Sequence, residues 1–384
     1  MREPVEMSTF GAPRSHRCGA NPTRSPTMLF ESFKLGSLTL SNRVVMAPMT
    51  RSRAVEAATP NALMAEYYAQ RADAGLIVTE GTSPSPDGLG YARIPGLYDA
   101  HTAAGWKLVA DAVHAKGGAI FVQLMHTGRV SAAQNLPKGA RVVGVNATTL
   151  PGEMYTDAAG MVAHAKPHAL TDAEVEAVIE EYVTAAKLAR EAGLDGVELH
   201  AANGYLGEQF LNANVNDRTD RWGGSAENRN RFVIEVSKRM AAAIGADRVG
   251  VRLSPYGVFN HTGSFDGVDA QYVSLVSALS SLGVAYVHVL DHSAMGAPPV
   301  PASLKKALRE AFKGAFILAG GFDRDSAEAA LAGGRADLVA FGRPFIANPD
   351  LVARMKGAKP LAAPDASTFY TPGPKGYTDY AAAG

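Results

Sequence analysis

The chain has 384 residues, 47% of them hydrophobic, and its 37 basic and 37 acidic residues give a net charge of zero. This balance offers no electrostatic reason to expect nucleic acid or a membrane surface as a partner, and no apolar run approaches the roughly 20 residues that span a bilayer. The single cysteine, Cys18, excludes an internal disulfide framework, a cysteine-rich zinc site and a cysteine-ligated iron–sulfur cluster. Because the chain has so little cysteine, a reducing cytoplasm is the simplest expectation for its location.

Residues 1–27 differ in composition from the rest of the chain. They are rich in Pro, Ser, Thr and Arg and have no periodic apolar spacing, which predicts a disordered extension before one domain over 28–384. Met28 could instead be the true start, or the extension could be a targeting peptide. Glu3 and Glu6 weigh against an organelle transit sequence, and no apolar core marks a secretory signal.

Short β-rich runs alternate with amphipathic helical stretches along the domain. The runs are 44–48, 76–80, 119–124, 196–200, 249–254, 286–290, 316–319 and 338–341. Eight strands alternating with helices predict a single (β/α)₈ TIM barrel. The alternative is an open doubly wound sheet, which lacks its Gly-x-Gly-x-x-Gly fingerprint after the first strand.

Several other elements can be placed from local signals. Residues 30–40, with a turn at Gly36-Ser37, predict a β-hairpin lid that closes the bottom of the barrel. Thr171 and Glu174 form a capping box that opens a helix ended by Gly193, and Ser225 can cap the next helix. Further helices are expected at 272–282, 304–312 and 326–331. The long connection 125–170 after the third strand predicts a capping loop over the active site.

The carboxyl ends of the predicted strands test several chemistries, because barrel active sites lie there. No lysine occurs at these ends, which argues against a Schiff-base aldolase. A metal site would have to use His126, His200, Asp291 and His292, whose spacing matches no known ligand pattern, so no metal is predicted.

The end of the fourth strand carries the most informative motif. His200 and Asn203 can each donate a hydrogen bond, and Tyr205 can give up a proton. Two donors can stabilise a developing oxyanion while a phenol acts as general acid. This combination suits the reduction of an unsaturated carbonyl compound. The alternative is a polar strand-to-helix loop in which Gly204 only supplies a turn.

Two adjacent strand ends predict a phosphate site. Gly320 and Gly321 follow the seventh strand, and Gly342 and Arg343 follow the eighth. Barrels often bind phosphate between these loops, where glycines let backbone N–H groups approach and an arginine adds a forked cation. The alternative is a pair of ordinary tight turns.

Arg252 would place a permanent cation in the barrel mouth, where burial requires an anionic partner. A reduced flavin is one such partner, and Gln123 and Thr50 could add neutral hydrogen bonds to the ring. An ion pair with Glu80 or Glu198 is the other possibility, and the residues alone leave both open.

Together these residues resemble the Old Yellow Enzyme family of FMN-dependent ene-reductases, most of all its bacterial N-ethylmaleimide reductase and pentaerythritol tetranitrate reductase type. The resemblance runs from residue 29 to 380. The matching segments are 42–51, 123–129, 200–206, 216–224, 341–343, 347–351 and 376–380.

The resemblance implies roles for individual residues. The residues expected to hold a tightly bound, non-covalent FMN are Pro48, Met49, Thr50, Gly81, Gln123 and Arg252 at the ring and Gly320, Gly321, Gly342 and Arg343 at the phosphate. The residues expected at the substrate are Tyr91, Met125, His200, Asn203 and Tyr370, with Tyr205 as proton donor. Met125 replaces a frequent Trp, which predicts a wider pocket, and 290–293 departs from the sequence of close relatives.

The resulting expectation is an NADPH- or NADH-dependent ene-reductase with ping-pong kinetics. It would act on a small unsaturated carbonyl, maleimide or nitroalkene substrate as a monomer or homodimer. Two alternatives remain. One is an FMN-barrel oxidase or dehydrogenase, which needs a base rather than an acid. The other is a flavin-binding barrel with little turnover.

Overall fold

The barrel occupies most of residues 27–382, the part of the chain that the computed structural model describes. The eight barrel strands, β1 to β8, are Val44–Met46, Leu76–Val78, Ile120–Leu124, Gly196–Ala201, Val249–Leu253, Tyr286–Leu290, Ala315–Ala319 and Leu338–Phe341. All neighbouring strands are parallel, and β8 pairs with β1 through Ala340 and Val45, which closes the barrel. The TIM-barrel prediction is confirmed, and the open-sheet alternative is wrong because no edge strand remains.

The first two strands are shorter than predicted. β1 stops at Met46 rather than at Pro48, and β2 stops at Val78 rather than at Glu80. Proline cannot donate to a strand ladder. The Glu80 carboxylate accepts hydrogen bonds from the backbone N–H groups of Arg51 and Ser52, which links the residues that follow β1 to those that follow β2.

Helices surround the strands. The barrel helices, α1 to α8, are Ala62–Ala69, Ala100–His114, Asp172–Glu191, Ala226–Ile244, Val268–Leu282, Ala302–Ala311, Arg324–Ala332 and Leu351–Lys356. Thr171 forms the predicted capping box with Glu174, and Ser225 accepts a hydrogen bond from the N–H of Asn228. The helix after β7 begins earlier than predicted, because Asp323 caps it through the N–H of Ser326.

Two large apolar clusters form most of the core. The larger lies between the strands and the helices and includes Trp106, Tyr182 and Phe232. The smaller includes Val45, Phe121 and Tyr286 from the strands. Aromatic and β-branched side chains fill the barrel interior, as expected for a barrel of eight strands.

The predicted hairpin is present at Phe33–Leu35 and Leu38–Leu40. Its Leu35 and Leu40 are buried and belong to the same cluster as Val45, so the hairpin closes the end of the barrel opposite the strand carboxyl termini. Gly36 makes the turn with φ of +56°, a conformation that favours glycine.

The connection between β3 and α3 has structure of its own. It contains a hairpin of Glu153–Thr156 with Gly160–Ala163 and a short pairing of Val143–Gly144 with His168–Ala169. The prediction of a disordered extension falls on residues that lie, apart from Thr27, outside the described part. Within residues 27–382, no helix is both long enough and apolar enough to cross a membrane.

Candidate active site

A cavity of about 800 Å³ opens at the carboxyl ends of the strands. We call it the main cavity, and its size falls within the usual range for small-molecule sites. The predicted site residues that line it are Pro48, Met49, Thr50, Gly81, Gln123, Met125, His200, Asn203, Tyr205, Arg252, Gly320, Gly321, Gly342, Arg343 and Tyr370. These predicted residues come from seven of the eight strand ends, and Leu290, Asp291 and His292 line the cavity from the eighth.

His200 lies in β4 and is almost fully buried. Its Nδ1 accepts a hydrogen bond from the backbone N–H of Ala202 at 3.2 Å, which leaves Nε2 as the nitrogen that carries the proton. Burial, followed by the neighbouring charge of Arg252, holds the pKa of His200 well below its usual value. His200 is thus a neutral imidazole that can donate one hydrogen bond.

Asn203 stands in a loop that other residues hold from both sides. Its backbone N–H donates to Ser254 Oγ at 2.9 Å, and its carbonyl accepts from Asn260 Nδ2 at 2.7 Å. These contacts fix a left-handed backbone with φ of +59°, which asparagine tolerates better than most residues. In residues 27–382, its buried Oδ1 has no hydrogen-bond partner, so the side-chain amide remains available to a ligand.

Tyr205 immediately precedes the short helix Leu206–Leu211. Its ring meets the His200 ring edge-on, with centroids 5.0 Å apart. Its hydroxyl lies 3.0 Å from the hydroxyl of Tyr91. Burial raises the pKa of Tyr205 well above its usual value, so the phenol stays protonated at neutral pH.

Tyr91 lies in a different place from the other predicted site residues. It contacts Tyr205 and forms part of the wall of a second cavity of about 830 Å³, which we call the side cavity. Its link to the main cavity is the hydrogen bond to Tyr205. The loop after β2 and the segment after β4 meet at this pair of phenols.

Arg252 is buried at the end of β5. Neither Glu80 nor Glu198, the two carboxylates considered as its partners, forms an ion pair with it. Glu198 is held by His288 Nδ1 at 2.9 Å and by Gln123 Nε2 at 2.8 Å, while Glu80 accepts from the backbone N–H groups that follow β1. Within the described chain, Arg252 Nε has no hydrogen-bond partner. A buried guanidinium with an unpartnered nitrogen can still pair with an anionic ligand in the main cavity.

The two glycine loops meet at one side of the main cavity. A Cβ on Gly320 would lie 2.2 Å from the carbonyl oxygen of Asp291, and one on Gly321 would lie 2.6 Å from Ala294 Cβ. Both glycines also have positive φ, +131° and +70°. These two positions therefore require glycine. The loop and Arg343 line the same cavity. Arg343 is exposed and forms no ion pair within residues 27–382.

The residues considered for a metal site have other roles. Asp291 accepts from Lys305 Nζ at 2.7 Å, and buried His126 accepts from the N–H of Gly128 at 3.1 Å. Burial lowers the pKa of His292, which lines the main cavity, to about 4. Across the described stretch, no three side chains of His, Cys, Asp or Glu come together to hold a metal ion.

One supporting residue was missed in the sequence. Glu208 is fully buried, and its Oε2 accepts hydrogen bonds from the N–H of Gly204 and from Ser254 Oγ. It therefore holds the loop that carries Asn203 and Tyr205. The available signal was an acidic residue between the apolar residues Leu206 and Phe210, since an acid buried there needs partners.

Comparison with known proteins gives consistent findings. A model of the NADH:flavin oxidoreductase / NADH oxidase family matches residues 28–362. Chanoclavine-I aldehyde reductase of Penicillium roqueforti (strain FM164) is 43% identical over 366 residues, covering 92% of this chain and 96% of its own length. 12-Oxophytodienoate reductase 2 of Arabidopsis thaliana is 40% identical over 357 residues, covering 92% and 95%. A solved Old Yellow Enzyme homologue from Zymomonas mobilis aligns with a TM-score of 0.88 at 38% identity, covering 92% of this chain and 99% of that one.

Proposed function

Because this chain belongs to the NADH:flavin oxidoreductase / NADH oxidase family, we propose that it reduces the activated C=C bond of α,β-unsaturated carbonyl compounds, maleimides or nitroalkenes. The resemblance to the Old Yellow Enzyme family is confirmed. The chain is an FMN-dependent NAD(P)H oxidoreductase. The narrower resemblance to the bacterial type, the choice between NADPH and NADH, and the substrate remain predictions.

The residues of the main cavity fit FMN. Arg252 provides a buried cation whose Nε has no partner in the part of the chain described, and the glycine loops beside Arg343 provide a cradle that a Cβ would fill. Gln123 donates one amide hydrogen to Glu198, which fixes the orientation of the amide at the cavity wall. When bound, FMN takes up a hydride from NAD(P)H and passes it to the β carbon of the substrate.

His200 and Asn203 polarise the substrate in this proposal. The neutral imidazole donates from Nε2, and the Asn203 amide, fixed by its backbone contacts, donates beside it. Both side chains line the main cavity. Donors aimed at a carbonyl or nitro oxygen stabilise the negative charge that develops there as the β carbon accepts a hydride.

Tyr205 then delivers a proton to the α carbon. The high pKa of its buried phenol keeps the proton in place until the substrate carbon becomes basic enough to take it. The hydride and the proton together supply the two electrons and two hydrogens that saturate the bond.

One observation carries the proposal. A neutral imidazole donor, an amide with a free acceptor and a protonated phenol fall within six residues and line the same cavity as the glycine loops and Arg343. An oxidase of the alternative class needs a base that removes a substrate proton. His200, with its pKa well below the usual value, is poorly suited to that role.

The test is the visible spectrum of the purified protein, followed anaerobically through NADPH and then 2-cyclohexenone. A flavin spectrum that bleaches and then returns, with stoichiometric cyclohexanone formed, is the expected result. A flavin that bleaches and stays reduced with enones, maleimides and nitroalkenes alike would overturn the proposed reaction. Failure to bind FMN on reconstitution would contradict the assignment of the glycine loops.

A further inference from the structure

The phenol of Tyr205 stands between two cavities. Its ring lines the main cavity, and the partner of its hydroxyl, Tyr91, lines the side cavity. The two hydroxyl oxygens are 3.0 Å apart, and the rings meet edge-on with centroids 6.1 Å apart. A hydroxyl both donates and accepts, and its hydrogen rotates to suit, so this pair can pass a proton in either direction.

The surroundings leave Tyr205 one route for proton exchange within the protein. The Tyr91 hydroxyl is the hydrogen-bond partner that the described chain provides for the Tyr205 hydroxyl. Apolar side chains from Leu89, Ile94 and Met125 pack against both rings. Once a substrate occupies the main cavity, water on that side is displaced, and Tyr91 remains in contact with the phenol that loses its proton.

The side cavity has the properties of a water site open to solvent. At about 830 Å³ it is far larger than a single water molecule needs. Its polar lining includes Asn135 and the ion pair of Arg93 with Asp157, whose side chain is 52% exposed. Asn135 is itself anchored through Nδ2 to the carbonyl of Gly90, next to Tyr91.

We propose that Tyr91 is a proton-relay residue, which passes a proton from water in the side cavity to Tyr205 as Tyr205 protonates the substrate. In this step the Tyr205 O–H bond breaks and an α C–H bond forms. The Tyr91 O–H bond breaks as the Tyr205 O–H bond re-forms, and a hydronium ion in the side cavity returns a proton to Tyr91 and is left as water. No oxidation state changes in the relay, because the hydride supplies both electrons that reduce the substrate. The inference rests on the proposed function.

The raised pKa values of both phenols agree with this arrangement. Burial raises the pKa of Tyr205 and, to a smaller extent, that of Tyr91. An isolated phenolate in this position would be poorly solvated. In the structure the Tyr205 hydroxyl donates to Tyr91. When Tyr205 turns its proton toward the substrate, the Tyr91 hydroxyl can donate in return, and this hydrogen bond removes the cost as it shortens into a proton transfer.

A proton inventory tests the relay. The rate constant of flavin reoxidation by 2-cyclohexenone is measured anaerobically by stopped flow in increasing fractions of D₂O. Two protons in flight give a bowed plot in the wild-type enzyme. The variant Tyr91→Phe keeps the ring but loses the hydroxyl, so we expect a straight plot and a rate about tenfold lower, the loss expected for one hydrogen bond to a charged group. NADPH-driven flavin reduction should keep its wild-type rate.

Tyr98→Phe is the matched control. Tyr98 lines the side cavity and packs in the same apolar cluster, while its ring is not stacked on Tyr205. We expect this variant to retain the bowed plot. A straight plot for the wild type, or a bowed plot in Tyr91→Phe, would overturn the relay and leave enone reduction intact. A wild-type enzyme that reduces no enone would instead overturn the proposed function.

Discussion

The carboxylate of Glu208 accepts a hydrogen bond from the backbone N–H of Gly204 at 2.7 Å. The same oxygen accepts from Ser254 Oγ at 2.9 Å, and that hydroxyl oxygen in turn accepts from the N–H of Asn203 at 2.9 Å. A single buried acid therefore fixes the two residues that precede the proton donor. Burial raises its pKa to about 7, since water cannot solvate the charged form.

The raised pKa of Glu208 predicts a loss of stability as the pH rises. The folded state keeps this proton up to about pH 7, whereas the unfolded chain releases it near pH 4.5. Folding therefore binds a proton between these values, and the contribution of Glu208 falls as the pH passes through the folded pKa. The free energy of unfolding of the wild type, relative to Glu208→Gln, should fall by about 3 kcal/mol between pH 4.5 and 8.

Urea unfolding of the FMN-saturated proteins at a series of pH values measures this difference. Glu227→Gln serves as the control, because Glu227 lies on the surface with its side chain 85% exposed. Its difference from the wild type should not change with pH. A constant difference between wild type and Glu208→Gln would show that folding leaves the pKa of Glu208 unchanged and would contradict this prediction.

The sequence predicted the scaffold well and the supporting contacts poorly. The barrel strands were visible as short apolar runs, and the site residues could be placed because parallel strands bring their carboxyl ends to one face. Tyr91 was expected in the main cavity, yet it reaches Tyr205 across 114 positions of sequence through the packing of two loops. Glu208 and Ser254 are 46 positions apart, and their pairing depends on how the segment after β4 folds onto β5. Periodicity carries no information on such loop contacts.

Replacing the phenol of Tyr205 should separate the two half-reactions. In Tyr205→Phe the donors at His200 and Asn203 remain, and reduction of the flavin by NADPH needs no proton from residue 205. We expect reoxidation by 2-cyclohexenone to slow about 10²- to 10⁴-fold, the usual contribution of a general acid, with the reductive rate within about twofold. Stopped-flow absorbance measures both rates. Equal losses in both half-reactions would contradict the role of Tyr205 as proton donor.

The two hydrogen-bond donors should control the binding of phenols, which resemble an enolate in charge and shape. Removing both with His200→Ala and Asn203→Ala should weaken the binding of p-hydroxybenzaldehyde at least about 100-fold, since each hydrogen bond to a charged oxygen contributes about 1.5 to 3 kcal/mol. The charge-transfer absorbance on titration gives the dissociation constant. Tyr98→Phe, which removes a phenol hydroxyl outside the main cavity, should change it little. Unchanged affinity in the double variant would remove the oxyanion assignment.

The size of residue 125 should set substrate width. A Cβ on Gly81 would lie 2.5 Å from Met125 Sδ, so the thioether already occupies the space over this glycine. Met125→Trp adds a larger, rigid side chain. We expect kcat/KM for a β-substituted cyclohexenone to fall about tenfold or more and its product enantiomer ratio to change, while 2-cyclohexenone is reduced nearly as before. Met125→Leu, similar in volume, should leave both unchanged. If Met125→Trp keeps the wild-type rates and enantiomer ratio, residue 125 does not limit the width of substrate that the pocket accepts.

The two arginines of the main cavity should act on different properties of the flavin. Arg252 is buried with an unpartnered Nε among the described residues, so we expect it to stabilise the negative charge that the ring gains on reduction. Arg252→Met should lower the two-electron midpoint potential by about 30 to 60 mV, the equivalent of one hydrogen bond to a charged group.

Arg343 lies at the glycine loops, and a phosphate keeps its charge when the ring is reduced. Arg343→Met should therefore weaken FMN binding about tenfold or more with little change in potential. Potentials measured against reference dyes and dissociation constants from flavin fluorescence separate the two effects, and the opposite pattern would exchange the assigned roles.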